Sequence, residues 1–140
     1  MLEFSLLKGK TLTDIQVDMG NGNDEIIFTV SPEEKYRLYH RQDCCEGVDI
    51  ADINGRAADL IGSPLLIAEE SINDLGEMAH EDTRWTFYRL ATVKGYVDIR
   101  WVGKSNGYYS VSVDFDHYKE MAPYTHYVLP VPMTASRGKL

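Results

Sequence analysis

Two stretches of this 140-residue chain hold side chains that can do chemistry. The first is HRQDCCE, in which His40, Asp43, Cys44, Cys45 and Glu46 are all metal-ligand types. The spacing matches no zinc pattern, because there is no CxxC and no second cysteine pair. A cysteine beside His40 has a nucleophile's composition, but nothing nearby supplies the setting that stabilises a thiolate. Asp49, Asp52 and Asn54 followed by Gly55 begin like a calcium loop and lack its later glutamate. The four histidines form no HExxH pair, and no phosphate-cradling glycine loop or GxSxG elbow is present. These residues point to no metal and no cofactor, and the case for an enzyme is thin.

The second stretch is residues 85–115, WTFYRLATVKGYVDIRWVGKSNGYYSVSVDF, with both tryptophans and with Arg89, Asp98, Arg100 and Asp114 among aromatics. It reads as three antiparallel strands joined by two tight turns. A one-residue slip flips every side chain, so burial selects the register. A loop of Ser105, Asn106 and a left-handed Gly107 pairs Trp101 with Val111, Ile99 with Val113 and Val97 with Phe115. An even-length loop at Lys94-Gly95 sets Tyr88 and Leu90 on the same apolar face, whereas an odd one buries Arg89. The other face then collects Trp85, Phe87, Arg89, Tyr96, Asp98, Arg100, Tyr108, Ser110, Ser112 and Asp114. Aromatics, arginines, carboxylates and hydroxyls gathered on one sheet face resemble a recognition surface for a ligand. In this register Asp98 lies opposite Asp114, with Arg100 placed to bridge them. The same two aspartates are what a small metal-dependent hydrolase or nuclease would use.

The elements that must position these groups are mostly strands. TLTDIQVDM alternates, GNGN is a turn and EIIFTV is β-branched, which together predict a hairpin. KYRLYHRQ predicts a third strand and LLIAEE a fourth. Ile50, Ile53, Ala57, Leu60 and Ile61 repeat at roughly helical spacing before Gly62, predicting one short helix packed on the sheet. Residues 71–83 are acidic and poorly periodic, predicting a loop. The expected fold is α+β and mainly antiparallel β: a twisted meander of about six or seven strands with one short helix. Residues 1–116 form one domain and residues 117–140 a C-terminal arm, whose Pro123, Pro130 and Pro132 disfavour helix or central strand.

Composition narrows the class. With 44% hydrophobic and 26% charged residues this is ordinary globular composition. No apolar run reaches the length of a membrane span, and the first residues lack a basic region ahead of their apolar patch. The adjacent cysteines allow no ordinary internal bridge, which fits a reducing compartment and a cytoplasmic location. The net charge of −8 disfavours direct nucleic-acid binding. The acidity is concentrated: residues 43–82 hold eleven acids against Arg56 alone, a block of −10, so the remainder is +2. Such a block is either a solvated surface or a contact for a basic partner.

The segments HRQDCCEGVDIADING, DLIGSPLLIAEE, WTFYRLATVKGYVDIRW and SNGYYSVSVDF resemble a small family of uncharacterised proteins encoded by bacteriophages and prophages. The resemblance covers roughly residues 40–115 and transfers no active site. It implies a small soluble phage protein in the cytoplasm of a bacterial host, in company that often inhibits a host protein or sequesters a defence signal. The expectation is a non-enzymatic binding protein, for instance in counter-defence, engaging a host protein or a nucleotide-like small molecule. A second copy of the chain is a further candidate partner. The alternatives are the metal-dependent hydrolase or nuclease and a minor virion or assembly protein.

Overall fold

A computed structural model describes residues 1–78 and 81–119, and the expected C-terminal arm lies outside the described residues from position 120 onward. Among the described residues eight strands form two four-stranded antiparallel sheets. In the first, β1 (Asp14–Asp18), β2 (Glu25–Ser31), β3 (Glu34–Tyr39) and β8 (Asp114–His117) lie in that order. In the second the order is β4 (Gly47–Asn54), β7 (Gly95–Ser105), β6 (Glu81–Thr92) and β5 (Ile67–Met78). The expected dominance of antiparallel β is therefore observed. The single meander and the packed helix are replaced by two sheets and two short 3-10 turns, Phe4–Leu7 and Ala57–Leu60.

Period-two patterning puts one face of each sheet against the other. Ile26, Phe28, Tyr36, Leu38 and Phe115 line the first sheet's inner face, and Val48, Ile50, Tyr88, Leu90, Val97, Ile99 and Trp101 line the second's. Phe4 lies between them, with ring centroids 5.2 Å from Phe115 and 4.6 Å from Tyr88. Burying each large apolar side chain contributes about 1.5–3 kcal/mol, so this shared core is the main force joining the layers. Buried Asp24 adds a polar tie: one oxygen accepts from the Ile50 amide at 2.9 Å and the other from Gly20.

Three local expectations are corrected. The helix predicted from Ile50, Ile53, Ala57 and Leu60 is strand β4 followed by a 3-10 turn. A β-bulge between Ile50 and Asp52 lets Ile50 and Ile53, three apart, both face inward, and this mimics helical spacing. The loop predicted over residues 71–83 is instead the far end of β5 and the start of β6, long strands that pair across the sheet. Finally, residues 108–115 do not pair with β7. Gly107 is left-handed as expected, at φ 94°, and its amide donates to Ser105 Oγ at 2.9 Å, but the hairpin that this loop was to close does not form. Both edges of β7 are already taken, however, by β4 and β6. The chain crosses instead to the first sheet, where Phe115 lies opposite Leu38 and Asp114 opposite Tyr39. Gly103 makes room for this crossing: a Cβ there would lie 2.7 Å from Val111 Cβ and 2.9 Å from the Val111 carbonyl oxygen.

Candidate functional site: the outer face of the second sheet

The even-length β6–β7 turn is observed, with Thr92 opposite Gly95, Leu90 opposite Val97 and Tyr88 opposite Ile99. Trp85, Phe87 and Arg89 consequently share the outer face with Tyr96, Asp98 and Arg100. Reading across the sheet from β4 to β5 gives three parallel rows: Asn54, Asp98, Arg89, Glu69; then Asp52, Arg100, Phe87, Ser71; then Asp49, Val102, Trp85, Asn73. With a strand where the helix was expected, no helix of the described residues covers the centre of this face. Tyr96 is 52% exposed, and the Arg89 and Arg100 side chains are 54% and 48% exposed.

The two arginines are held in forks. Arg89 donates from Nε and Nη2 to the two Asp98 oxygens at 2.7 and 2.9 Å. Arg100 donates from Nε to Asp52 Oδ1 at 2.9 Å and from Nη2 to Asp52 Oδ2. Planar bidentate pairing fixes a guanidinium's orientation as well as its charge. These bonds hold the Asp98 and Asp52 carboxyls below the usual carboxylate range, and they raise both arginines above their ordinary value. Each guanidinium also lies over a ring, Arg89 5.1 Å from the Tyr96 centroid and Arg100 5.3 Å from Trp85. Trp85 and Phe87 stack with their rings nearly parallel, 8° apart with centroids 6.3 Å from each other. A depression of about 530 Å³ lies among these groups, lined by Glu69, Ser71, Phe87, Arg89, Asp98 and Arg100.

The remaining predicted site residues lie elsewhere. Tyr108 is 80% exposed just beyond β7, edge-on to Tyr109. Ser110, Ser112 and Asp114 line a separate depression of about 330 Å³ with His40 and Asp43. The juxtaposition of Asp98 with Asp114 is overturned because β8 belongs to the other sheet: Asp98 pairs with Arg89, and Asp114 accepts from the Arg41 amide at 3.0 Å. A two-aspartate centre built on them does not exist in this fold.

The segment from His40 to Glu46 is a structural knot. The His40 side chain is 4% exposed and that of Glu46 fully buried, 2.7 Å apart. His40 Nδ1 lies 2.7 Å from the Ser112 carbonyl oxygen and Nε2 2.7 Å from the Glu46 carboxylate, so both ring nitrogens are engaged within the fold. Glu46 also accepts from the Asp43 and Cys44 amides at 2.8 and 3.0 Å. Burial pushes its carboxyl up, but the Asp43 amide, the His40 ring and the Cys44 amide outweigh that and hold it at about 2. Cys44 and Cys45 are joined to each other in a disulfide, against the expectation of no internal bridge. They sit on the turn whose amides converge on Glu46. Among the described residues no three His, Cys, Asp or Glu side chains converge as metal ligands.

Sequence reasoning missed two members of the outer face, Asp52 and Glu69. Sequence spacing places Asp52 within the expected helix, and only the bulge in β4 turns it toward Arg100. Glu69 was read within a strand, but its place opposite Arg89 needed the β5–β6 register. Asp49, also on this face, has its carboxyl raised by burial and by the nearby Asp24 charge, with His40 partly offsetting them.

The chain belongs to a family described as a domain of unknown function (DUF7448), which matches residues 5–115. No curated protein and no solved structure matches it. No helix of the described residues is long and apolar enough to cross a membrane.

Proposed function

We propose that this DUF7448 member is a non-enzymatic binding protein whose outer second-sheet face, centred on Trp85, Phe87, Arg89, Tyr96 and Arg100, docks a macromolecular or small-molecule partner. One observation carries the reading. The solvent face of a half-buried antiparallel sheet is expected to carry short polar residues, yet here two aromatic–guanidinium stacks stand open to water. Tryptophan, tyrosine and arginine are the residues that concentrate binding energy at interfaces, and the carboxylate forks hold these arginines in place before a partner arrives. In the phage setting that the sequence resembles, the partner is a host protein or a nucleotide-like signal, and the activity is counter-defence. Hydrolysis through Asp98 and Asp114 loses its support once those residues lie on different sheets.

The test is capture from bacterial lysate with tagged wild type, Trp85→Ala, Arg89→Ala and, as a control on the exposed β1 edge, Gln16→Ala. The reading requires the first two variants to lose a species that the control retains. Thermal shift with cyclic and linear nucleotides forms the second arm, and stabilisation abolished by Arg89→Ala or Arg100→Ala would assign the small-molecule version. If all variants capture alike and no nucleotide moves the melting curve, this face is not a binding surface.

A further inference from the structure

We infer that the partner of this face is a cationic protein segment, and that one of its lysine or arginine side chains enters the depression between Glu69 and the Phe87 ring. The inference rests on the reading that this face binds, and it adds the chemistry of what binds. The argument is charge complementarity. At the depression each positive group is already matched, Arg89 by Asp98 and Arg100 by Asp52, both through two hydrogen bonds, while Lys104, on the same face, lies two residues beyond Val102 and does not line it. A phosphate or carboxylate ligand would have to displace a bidentate carboxylate to reach either guanidinium, leaving an aspartate stranded beside the incoming anion.

The carboxylates, by contrast, are in excess. Glu69 extends the row in which Arg89 already has Asp98, and it is exposed at the wall of the depression. Asp49 occupies the corresponding flank on β4, beside Val102 and Trp85. Its carboxyl is raised by burial and by the Asp24 charge, the situation that a nearby cation relieves. Between the two flanks run the π faces of Trp85 and Phe87, which attract cations and cover aliphatic stems. The fold already displays that contact twice, with its own arginines over Tyr96 and Trp85. A basic side chain lying on Phe87 with its head group at Glu69 would repeat the arrangement with a group from outside.

The experiment is an amide-resolved NMR titration of the full chain with three probes: a Lys/Arg-bearing peptide, a glutamate peptide of equal length, and ATP. The basic peptide is expected to shift Glu69, Ser71, Phe87, Arg89 and Asp98, with affinity falling as salt rises. Glu69→Gln should weaken it roughly threefold to tenfold, as a partly desolvated ion pair would. Glu33→Gln, at the exposed β2–β3 turn, should not; equal weakening by the two would mean that overall negative charge alone attracts the peptide, and would overturn the inference. If the glutamate peptide or ATP produces these shifts instead, the cationic partner is refuted while the face remains a binding face. If no probe moves the face although Trp85→Ala abolishes capture from lysate, the inference again falls alone. Shifts confined to other surfaces, together with capture indifferent to Trp85, sink both.

Discussion

Replacing Gly103 by alanine tests the crossing that divides this chain into two sheets, because two arrangements predict opposite signs. Gly103 lies in mid-strand and has no positive φ, so an added methyl carries no backbone penalty. If residues 108–115 folded back as a hairpin on β7 and left the glycine uncrowded, alanine would stabilise by about 0.4–1 kcal/mol through the unfolded chain. In the observed fold the new Cβ meets Val111 Cβ at 2.7 Å, the Val111 carbonyl oxygen at 2.9 Å and Val48 Cγ2 at 3.2 Å. Two of the three neighbours are a backbone atom and a branch carbon, which cannot swing away. Overpacking of this kind costs about 1–3 kcal/mol. For a domain of this size that is a melting-temperature drop of roughly 4–12 °C. Urea denaturation followed by tryptophan fluorescence reads the effect, and a Gly103→Ala/Val111→Gly double mutant should show coupling of about 0.5 kcal/mol or more, because the two sites touch. An alanine variant as stable as wild type or more so would refute the crossing over β7.

Three further outcomes follow from the same geometry. Glu46 is held at about 2, below its ordinary 4.5, so its contribution to stability is complete above pH 4.5 and is lost as pH falls through about 2. Acid unfolding of Glu46→Gln should therefore be flatter than wild type across that window, and parallel curves would deny the linkage. Phe115→Ala, deep between the sheets, should cost about 3–5 kcal/mol. Phe87→Ala, on the open face, should cost about 1 kcal/mol, mainly its stack with Trp85, and comparable losses in urea would contradict the assignment of faces. Deleting Ala51, the extra residue of the β4 bulge, should leave Asp52 opposite Arg100 and Ile53 opposite Ile99, because plain alternation from Ile50 then gives the same faces, so the melting temperature should stay close to that of wild type. A loss of several kcal/mol, as from burying the Asp52 carboxylate, would show that Ala51 is not the residue the bulge adds.

Local patterning along the chain sets the short-range rules of this fold. The alternation in residues 11–19 and 35–39, the β-branched run at 25–30, the turn residues at 20–23 and 105–107, and the preference for burying Leu90 over Arg89 follow from side-chain period and local chemistry, which act over a few neighbours. They suffice to place Trp85, Phe87, Arg89, Tyr96, Asp98 and Arg100 together, since one tight turn joins the two strands that carry them. Which strand takes each edge of β7 is set instead by long-range packing. A strand has two edges, and β4, read in sequence as a helix because its bulge spaces Ile50 and Ile53 by three, claims the edge that residues 108–115 were expected to fill. That competition sends Asp114 to the other sheet and supplies Asp52 as the partner of Arg100, and no helix of the described residues lies over the outer face. Local pattern gives each strand two faces, whereas neighbour choice depends on closing loops of dozens of residues around one core, and no window of the sequence contains that balance.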